Sequence, residues 1–151
     1  MLAAILFSLA VPTASCDKPT ALQELRAMHA AVIARHLDDD VDAWMATEAE
    51  TMIVGSRGVL AESGPERATG RRAYLGATEF EVYRDMVEPI VRVSDDCTLG
   101  WVMVQVEAQG ARRDERGVAT PFGFQSSWVE LYERHDGAWR AVGNVSNFAE
   151  R

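Results

Sequence analysis

The fold is decided by the stretch from Phe122 to Phe148, which reads FGFQSSWVELYERHDGAWRAVGNVSNF. Two runs rich in aromatic and β-branched residues flank the dipeptide Asp136-Gly137. An Asp-Gly pair between such runs is the strongest short-range indication of a β-hairpin, because its tight turn matches the twist of the strands. The stretch therefore predicts the central hairpin of a strongly curved sheet.

Two further strand-like runs precede this hairpin, at residues 82–93 and 99–109. Pro89 interrupts the first run, which places that strand at an edge or a bulge. In the second run Val102, Val104 and Val106 alternate with larger side chains, so each set faces one side of the sheet. Both faces are apolar and the helices can cover only one. We therefore expect a homodimer that buries the other face.

The helices precede the main sheet in the chain. The spacing of Thr20 and Gln23 matches a capping box and predicts a long first helix. An aspartate cap predicts a short second helix at residues 41–46, and Thr69 is the predicted cap of a third at residues 70–76. A small hairpin at residues 51–60 lies between them. Helices followed by a meander of antiparallel strands indicate the α+β class.

Composition sets the outer bounds on function. The chain has 151 residues, the size of one domain, and 48% of them are hydrophobic. Its net charge of -8 argues against nucleic-acid binding, which depends on clustered Lys and Arg. His29 and His36 lie seven positions apart on one helix, too far apart to share a metal ion. We expect no metal site, no cofactor and no nucleic-acid partner.

The N-terminus resembles a bacterial lipoprotein signal peptide. The apolar run from Leu2 to Val11 is too short to span a bilayer, and small residues lead from it to Cys16. Thr13 and the absence of Lys or Arg before the run depart from that pattern, and a buried N-terminal helix or strand is the alternative. We expect a signal peptide at residues 1–15, a tether at 16–19 and one domain at 20–151.

This resemblance implies a protein exported by a bacterium, either periplasmic or anchored to the membrane as a lipoprotein. The anchor would be a lipid on Cys16, and it would be the only contact with the membrane. The chain has two cysteines. Lipidation of Cys16 would therefore leave Cys97 as a single thiol without an intramolecular partner.

The order of elements and the sequence Asp136-Gly137-Ala138-Trp139-Arg140 resemble the nuclear transport factor 2-like superfamily. That superfamily includes SnoaL-like polyketide cyclases and ketosteroid isomerase, and the resemblance spans about residues 20–148. It implies a cone-shaped α+β barrel, in which N-terminal helices pack on a strongly curved, mainly antiparallel sheet around an apolar pocket. It also implies dimerisation through the convex face.

The catalytic positions of ketosteroid isomerase are not matched in this chain. Its general base would fall within residues 52–55 and its oxyanion donor within residues 125–127, and neither segment contains a carboxylate. Gly143 and Val145 occupy the last strand, where related sequences often have histidines. These differences argue against that isomerase mechanism.

Polar and aromatic residues remain as candidates for a pocket. His29 and Asp85 are the candidate acid–base pair, and a buried histidine satisfied by a structural partner is the alternative. Glu88 and Glu130 are weaker candidates of the same kind. The candidate ligand-binding residues are Trp44, Tyr83, Trp101, Gln125, Trp128 and Asn144.

Three functions are compatible with this pattern. The first is an exported domain that binds a small, largely apolar molecule in a cone pocket. The second is an isomerase, dehydratase or hydrolase that uses His29 with Asp85. The third is a dimeric scaffold without catalytic activity, in which side chains fill the pocket.

Overall fold

The structure, a computed structural model, describes residues 16–150, so the predicted signal peptide lies outside the described residues. The described elements are α1 (Lys18–Leu37), α2 (Val41–Met45), β1 (Glu48–Ser56), β2 (Val59–Ser63), α3 (Arg67–Gly76), β3 (Thr78–Asp85), β4 (Ile90–Val93), β5 (Leu99–Arg113), β6 (Ala119–His135) and β7 (Ala138–Glu150). None of the helices in this range is long and apolar enough to cross a membrane. The α+β class predicted from the sequence is confirmed.

The seven strands form one curled sheet in the order β2-β1-β7-β6-β5-β3, and β4 also pairs with β5. Strands β1 and β7 pair in parallel, and the other pairs are antiparallel. The β6–β7 hairpin lies in the middle of this order, as predicted. Asp136 and Gly137 form its turn with φ values of 50° and 81°, the left-handed region that a type I′ turn requires.

Close backbone contact bends the sheet where β3 meets β5. A Cβ atom at Gly110 would lie 2.0 Å from the carbonyl oxygen of Glu79, so a larger residue would push the two strands apart. The register between β3 and β5 shifts next to this contact, between Phe80 and Val82. A bulge of this kind increases local twist, and it helps to curl the long strands around the helices.

Helix α1 covers the concave face of the sheet. Its buried side chains are Ala21, Leu25, His29 and His36, a stripe at helical spacing.

Two of the helix caps predicted from the sequence are wrong. The carboxylate of Asp17 caps α1 by accepting the backbone N–H of Thr20, so Thr20 lies inside the helix, and α3 begins after Glu66 rather than Thr69. The second difference lengthens α3 by one turn and brings Arg67 into it.

Alternation in β5 divides the sheet into two faces, as predicted. Val102, Val104 and Val106 are buried against the helices. Trp101 and Met103 face the other way, where they pair across the strands with Leu131 and Val129. We call this convex side the outer face, and Met103, Leu131 and Val145 on it are 40–49% exposed.

A disulfide joins Cys16, next to the start of α1, to Cys97 in the turn between β4 and β5. The two Cα atoms are 5.3 Å apart, within the usual range for such a bond. This pairing gives Cys97 an intramolecular partner, whereas lipidation of Cys16 would have left it without one. It also conflicts with the predicted lipidation of Cys16, because one sulfur cannot form both a disulfide and a lipid thioether.

Candidate functional site

A cavity of about 280 Å³ lies between the helices and the concave face of the sheet. Most of its lining is aromatic or aliphatic, and a few polar groups lie among these side chains. The residues in contact with it are Val32, His36, Trp44, Thr47, Glu48, Met52, Val54, Arg71, Tyr74, Tyr83, Phe124, Trp128, Glu130, Tyr132, Ala141, Gly143, Asn144, Ser146 and Phe148. We call this space the cone cavity.

His36 lies in one wall of the cone cavity between two aromatic rings. Its ring centroid is 4.2 Å from that of Trp44 and 4.2 Å from that of Tyr83, and the Tyr83 ring stacks nearly parallel to it. Nδ1 of His36 lies 2.8 Å from the carbonyl oxygen of Val32 and donates to it, since a carbonyl can only accept. Burial lowers the pKa of His36 to about 4. The ring is therefore neutral near pH 7, and Nε2 is a hydrogen-bond acceptor.

Glu130 places a buried carboxylate in the part of the cavity wall that β6 forms. Because side chains alternate along β6, Trp128, Glu130 and Tyr132 all point inward. Trp128 Nε1 donates to one carboxylate oxygen at 2.8 Å, and the Tyr132 hydroxyl donates to the other at 2.6 Å. Burial opposes ionisation of Glu130, but the nearby His29 imidazole and these two donors lower its pKa. Glu130 is thus a fixed anion beside the cavity.

His29 connects Glu130 to a second carboxylate. Its Nε2 lies 2.9 Å from Oδ1 of Asp85, and its Nδ1 lies 3.5 Å from Oε2 of Glu130. Nδ1 has no hydrogen-bond partner at its present position, so Glu130 acts on it through charge. Burial opposes protonation of His29, but the carboxylates of Glu130 and Asp85 raise its pKa. The arrangement favours an imidazolium between two carboxylates.

Asp85, His29 and Glu130 form a row of ionisable side chains from the surface of the molecule to the cavity wall, and we call this row the relay. The His29 side chain is 2% exposed, whereas that of Asp85 is 25% exposed and reaches solvent. His29 itself is not among the cavity-lining residues, and only Glu130 of the three touches the cavity. A proton that moves along this path would enter at Asp85 and reach the cavity through Glu130.

A second group of buried charges fixes α3 against the sheet edge. The Glu48 carboxylate accepts from both Arg67 and Arg71. Arg67 also donates to the backbone carbonyls of Ala49 and Gly64, at 2.6 and 2.7 Å, and to two further carbonyls nearby. Arg71 lies 3.9 Å over the Trp44 ring and lines the cavity. These contacts make Arg67 a structural clamp and Arg71 part of the cavity wall.

The structure separates the predicted ligand-binding residues into two groups. Trp44, Tyr83, Trp128 and Asn144 line the cone cavity. Trp101 and Gln125 do not, because both occupy outward positions of their strands, and the Gln125 amide contacts the sulfur of Met86 instead. Their placement in the pocket is therefore a wrong prediction, caused by the undetermined face of the sheet.

Glu130 is the residue whose importance sequence reasoning underestimated. The pattern Trp128-x-Glu130-x-Tyr132 puts a carboxylate and two polar aromatic tips on one strand face, and this was visible in the sequence. Its third partner, His29, lies on α1 and is brought near only by the fold. Residues 52–55, where the base of ketosteroid isomerase would fall, contain no carboxylate. The cavity instead contacts the carboxylate of Glu130, which lies beside the His29 imidazole.

Among residues 16–150 no cluster of His, Cys, Asp and Glu is arranged to hold a metal ion.

Comparisons with models of protein families and with curated proteins find no match to this sequence. Solved structures do match its fold. A ketosteroid isomerase-like protein from Erwinia carotovora atroseptica has 19% identity and a TM-score of 0.62, with 86% of this chain and 97% of that chain covered. A nuclear transport factor 2-like protein of unknown function from Pseudomonas putida has 14% identity and a TM-score of 0.65, with 85% and 87% covered.

A third neighbour, an uncharacterized protein with a cystatin-like fold from Caulobacter vibrioides, has 10% identity and a TM-score of 0.66. It is covered over 90% of its length, against 86% of this chain. The helices, the curled sheet and the cavity between them define an α+β cone domain. The chain has the nuclear transport factor 2-like fold, and the fold resemblance inferred from its sequence is confirmed.

Proposed function

We propose that this domain binds a small, largely apolar molecule in the cone cavity. The observation that carries the proposal is the cavity itself, about 280 Å³ in volume and walled mainly by aromatic and aliphatic side chains. Pockets for small molecules have this character, with a few polar groups that orient the ligand. Here the Nε2 atom of His36 and the side chain of Asn144 would supply such groups.

Native mass spectrometry of protein purified from its own cells tests this proposal, since it would detect a small molecule that remains bound. The variant Val54→Phe adds a ring to the cavity wall and should abolish that binding. Val118→Phe is the matched control, because Val118 is exposed in the turn before β6 and does not line the cavity. Equal ligand content in both variants would contradict the proposal.

A second candidate function is acid–base catalysis in the same cavity. It is favoured by the relay of Asp85, His29 and Glu130, which provides a buried carboxylate with an adjacent proton carrier. Glu130 would be the group that touches the substrate, and His29 and Asp85 would position and recharge it. If a bound molecule is identified and wild-type protein converts it, Glu130→Gln should abolish turnover and still permit binding. Turnover that survives this substitution would exclude the relay as the catalytic group.

We also propose that the protein is exported. The disulfide between Cys16 and Cys97 supports this, because such bonds persist mainly in oxidising compartments such as the bacterial periplasm. The intact mass of the secreted protein distinguishes the two fates of Cys16. A disulfide makes the chain lighter by two hydrogen atoms, whereas a lipid adds the mass of its acyl chains.

The outer face supports a proposal of homodimerisation. Trp101, Met103, Val129 and Leu131 form two adjacent cross-strand pairs there, and Val145 extends the patch onto β7. An apolar patch that continues across three strands is typical of a protein interface. A second copy of the chain would cover it through identical surfaces. Sedimentation of the purified protein at several concentrations measures this directly.

A further inference from the structure

A second cavity, of about 580 Å³, adjoins the cone cavity. The two share the rings of Tyr74, Phe124 and Phe148, so these three side chains stand between them. The remaining lining comes from the β1–β2 turn, the end of β5 and the start of β6: Ser56, Arg57, Arg112, Pro121, Phe122 and Gly123. We call this space the vestibule and the three shared rings the collar.

Two arginines lie in the vestibule against aromatic rings. The guanidinium carbon of Arg112 is 4.9 Å from the centre of the Phe122 ring and 5.8 Å from that of Tyr74. That of Arg57 is 5.7 Å from the centre of the Phe148 ring. The N–H donors at the edge of a guanidinium match the geometry of a carboxylate, so Arg112 can face the rings and still bind such a group.

The charge around these arginines is unusual for this chain. The protein has 23 acidic and 15 basic residues, and many of its arginines contact carboxylates, including Arg113, which pairs with Glu79. Among the side chains that the structure describes, no carboxylate lines the vestibule and none pairs with Arg112. The vestibule is therefore a positive site on an acidic protein, next to an apolar cavity.

We propose that the ligand is an amphipathic anion, an apolar monocarboxylate, whose tail passes the collar into the cone cavity and whose head binds Arg112 in the vestibule. This inference rests on the proposed function, because it assumes that the cone cavity holds the apolar part. Arg112 supplies the positive charge that this head group would meet. The site therefore distinguishes a carboxylate from an uncharged molecule of the same length.

The experiment compares octanoate with octanol, which differ in the charge of the head group and share a similar apolar chain. Binding to the full secreted protein is followed by calorimetry and by the fluorescence of Trp44 and Trp128, which line the cone cavity. Octanoate should bind about tenfold more tightly than octanol, the usual worth of a charge-assisted hydrogen bond. Arg112→Gln should remove this preference by lowering octanoate affinity about tenfold.

Arg113→Gln is the matched control, since this neighbouring arginine has the same charge, pairs with Glu79 and does not line the vestibule. It should alter neither affinity. If octanol binds, Val54→Phe blocks it, and octanoate binds no better, the anion site is refuted and the proposed function stands. If neither compound binds to wild-type protein, the amphipathic-anion proposal is refuted, whereas the proposed function is decided separately by the small molecule that native mass spectrometry detects. Equal loss of octanoate affinity in both arginine variants would also refute a specific role for Arg112.

Discussion

The two faces of the sheet differ in the kind of side chain that each buries and exposes. The concave face encloses charge, with Glu48 and Glu130 both buried among donors. The outer face leaves apolar side chains such as Leu131 and Val145 in solvent. A chain that needed only stability would do the reverse, since burial favours apolar groups and penalises charge. The proposals of a ligand inside the cone and of a partner on the outer face would each account for one side of this difference.

Removing the inner anion at Glu48 should have the largest effect on stability. Glu48→Ala leaves Arg67 and Arg71 without their shared carboxylate, and both guanidiniums are largely buried. We expect a loss of about 3–5 kcal/mol in the free energy of unfolding, measured by urea denaturation. Glu79→Ala, which removes an exposed partner of Arg113, should cost about 0–1 kcal/mol. Similar losses in the two variants would contradict the contrast between buried and exposed charge.

The disulfide is expected to have the next largest effect, because it ties α1 to the sheet that it covers. Cys16 and Cys97 are 81 positions apart, so their bond closes a long loop in the unfolded chain. Cys97→Ser should lower the free energy of unfolding by about 2–4 kcal/mol. Reductant should lower the stability of wild-type protein by a similar amount and leave the variant unaffected. A wild-type protein that is insensitive to reductant would show that the bond is absent.

The two buried histidines should give stability opposite dependences on pH. The pKa of His36 is about 4 in the folded protein and 6.5 in the unfolded chain, so between these values the unfolded chain binds more protons. Stability should therefore fall as the pH drops through this window, by about 3 kcal/mol at full extent. His36→Phe keeps a ring in the stack and should remove this slope.

The folded pKa of His29 lies above its ordinary value of 6.5. Its contribution to stability should be complete below pH 6.5 and should be lost as the pH rises through the folded pKa. His29→Gln should flatten the alkaline side of the profile and leave the acid side unchanged. Urea denaturation across both windows measures the two slopes, and a single slope abolished by either variant would contradict the assignment.

Substitution on the outer face should have the smallest effect on the folded monomer. Leu131→Gln replaces a side chain that is 40% exposed, so the monomer should lose no more than about 0.5 kcal/mol. The same change should shift a dimer towards monomer in sedimentation. Glu133→Gln, a polar substitution on the same strand, is the control. A wild-type protein that sediments as a monomer would refute the dimer proposal.

The sequence predicted the elements well because their determinants are local. The Asp136-Gly137 turn and the alternation of Val102, Val104 and Val106 depend on neighbours a few residues away. The positions of Trp101 and Gln125 were wrong because alternation divides a strand into two faces without stating which is concave. Which face is concave depends on where the helices pack.

The remaining parts of the site depend on contacts between distant parts of the chain. Glu130 is a candidate acid–base group because His29 on α1 lies beside it, and the sequence of β6 alone gives no indication of that contact. The same holds for the Cys16–Cys97 bond, where the lipoprotein-like context of Cys16 favoured a different chemistry. The structure places the candidate pair His29 and Asp85 2.9 Å apart, a proximity that the sequence left open. Their role in function stays a prediction.

The hydrogen bonds of Arg67 bear on how a ligand would enter and leave the cone cavity. One guanidinium holds backbone carbonyls on both sides of the β1–β2 hairpin as well as Glu48, so α3 cannot swing away from the sheet without breaking all of these bonds together. Within residues 16–150, the side chains of Tyr74, Phe124 and Phe148 contact other rings and make no comparable set of hydrogen bonds. We therefore expect the rate of ligand entry and release to be set by rotation of these side chains, which is fast, rather than by slow movement of a helix.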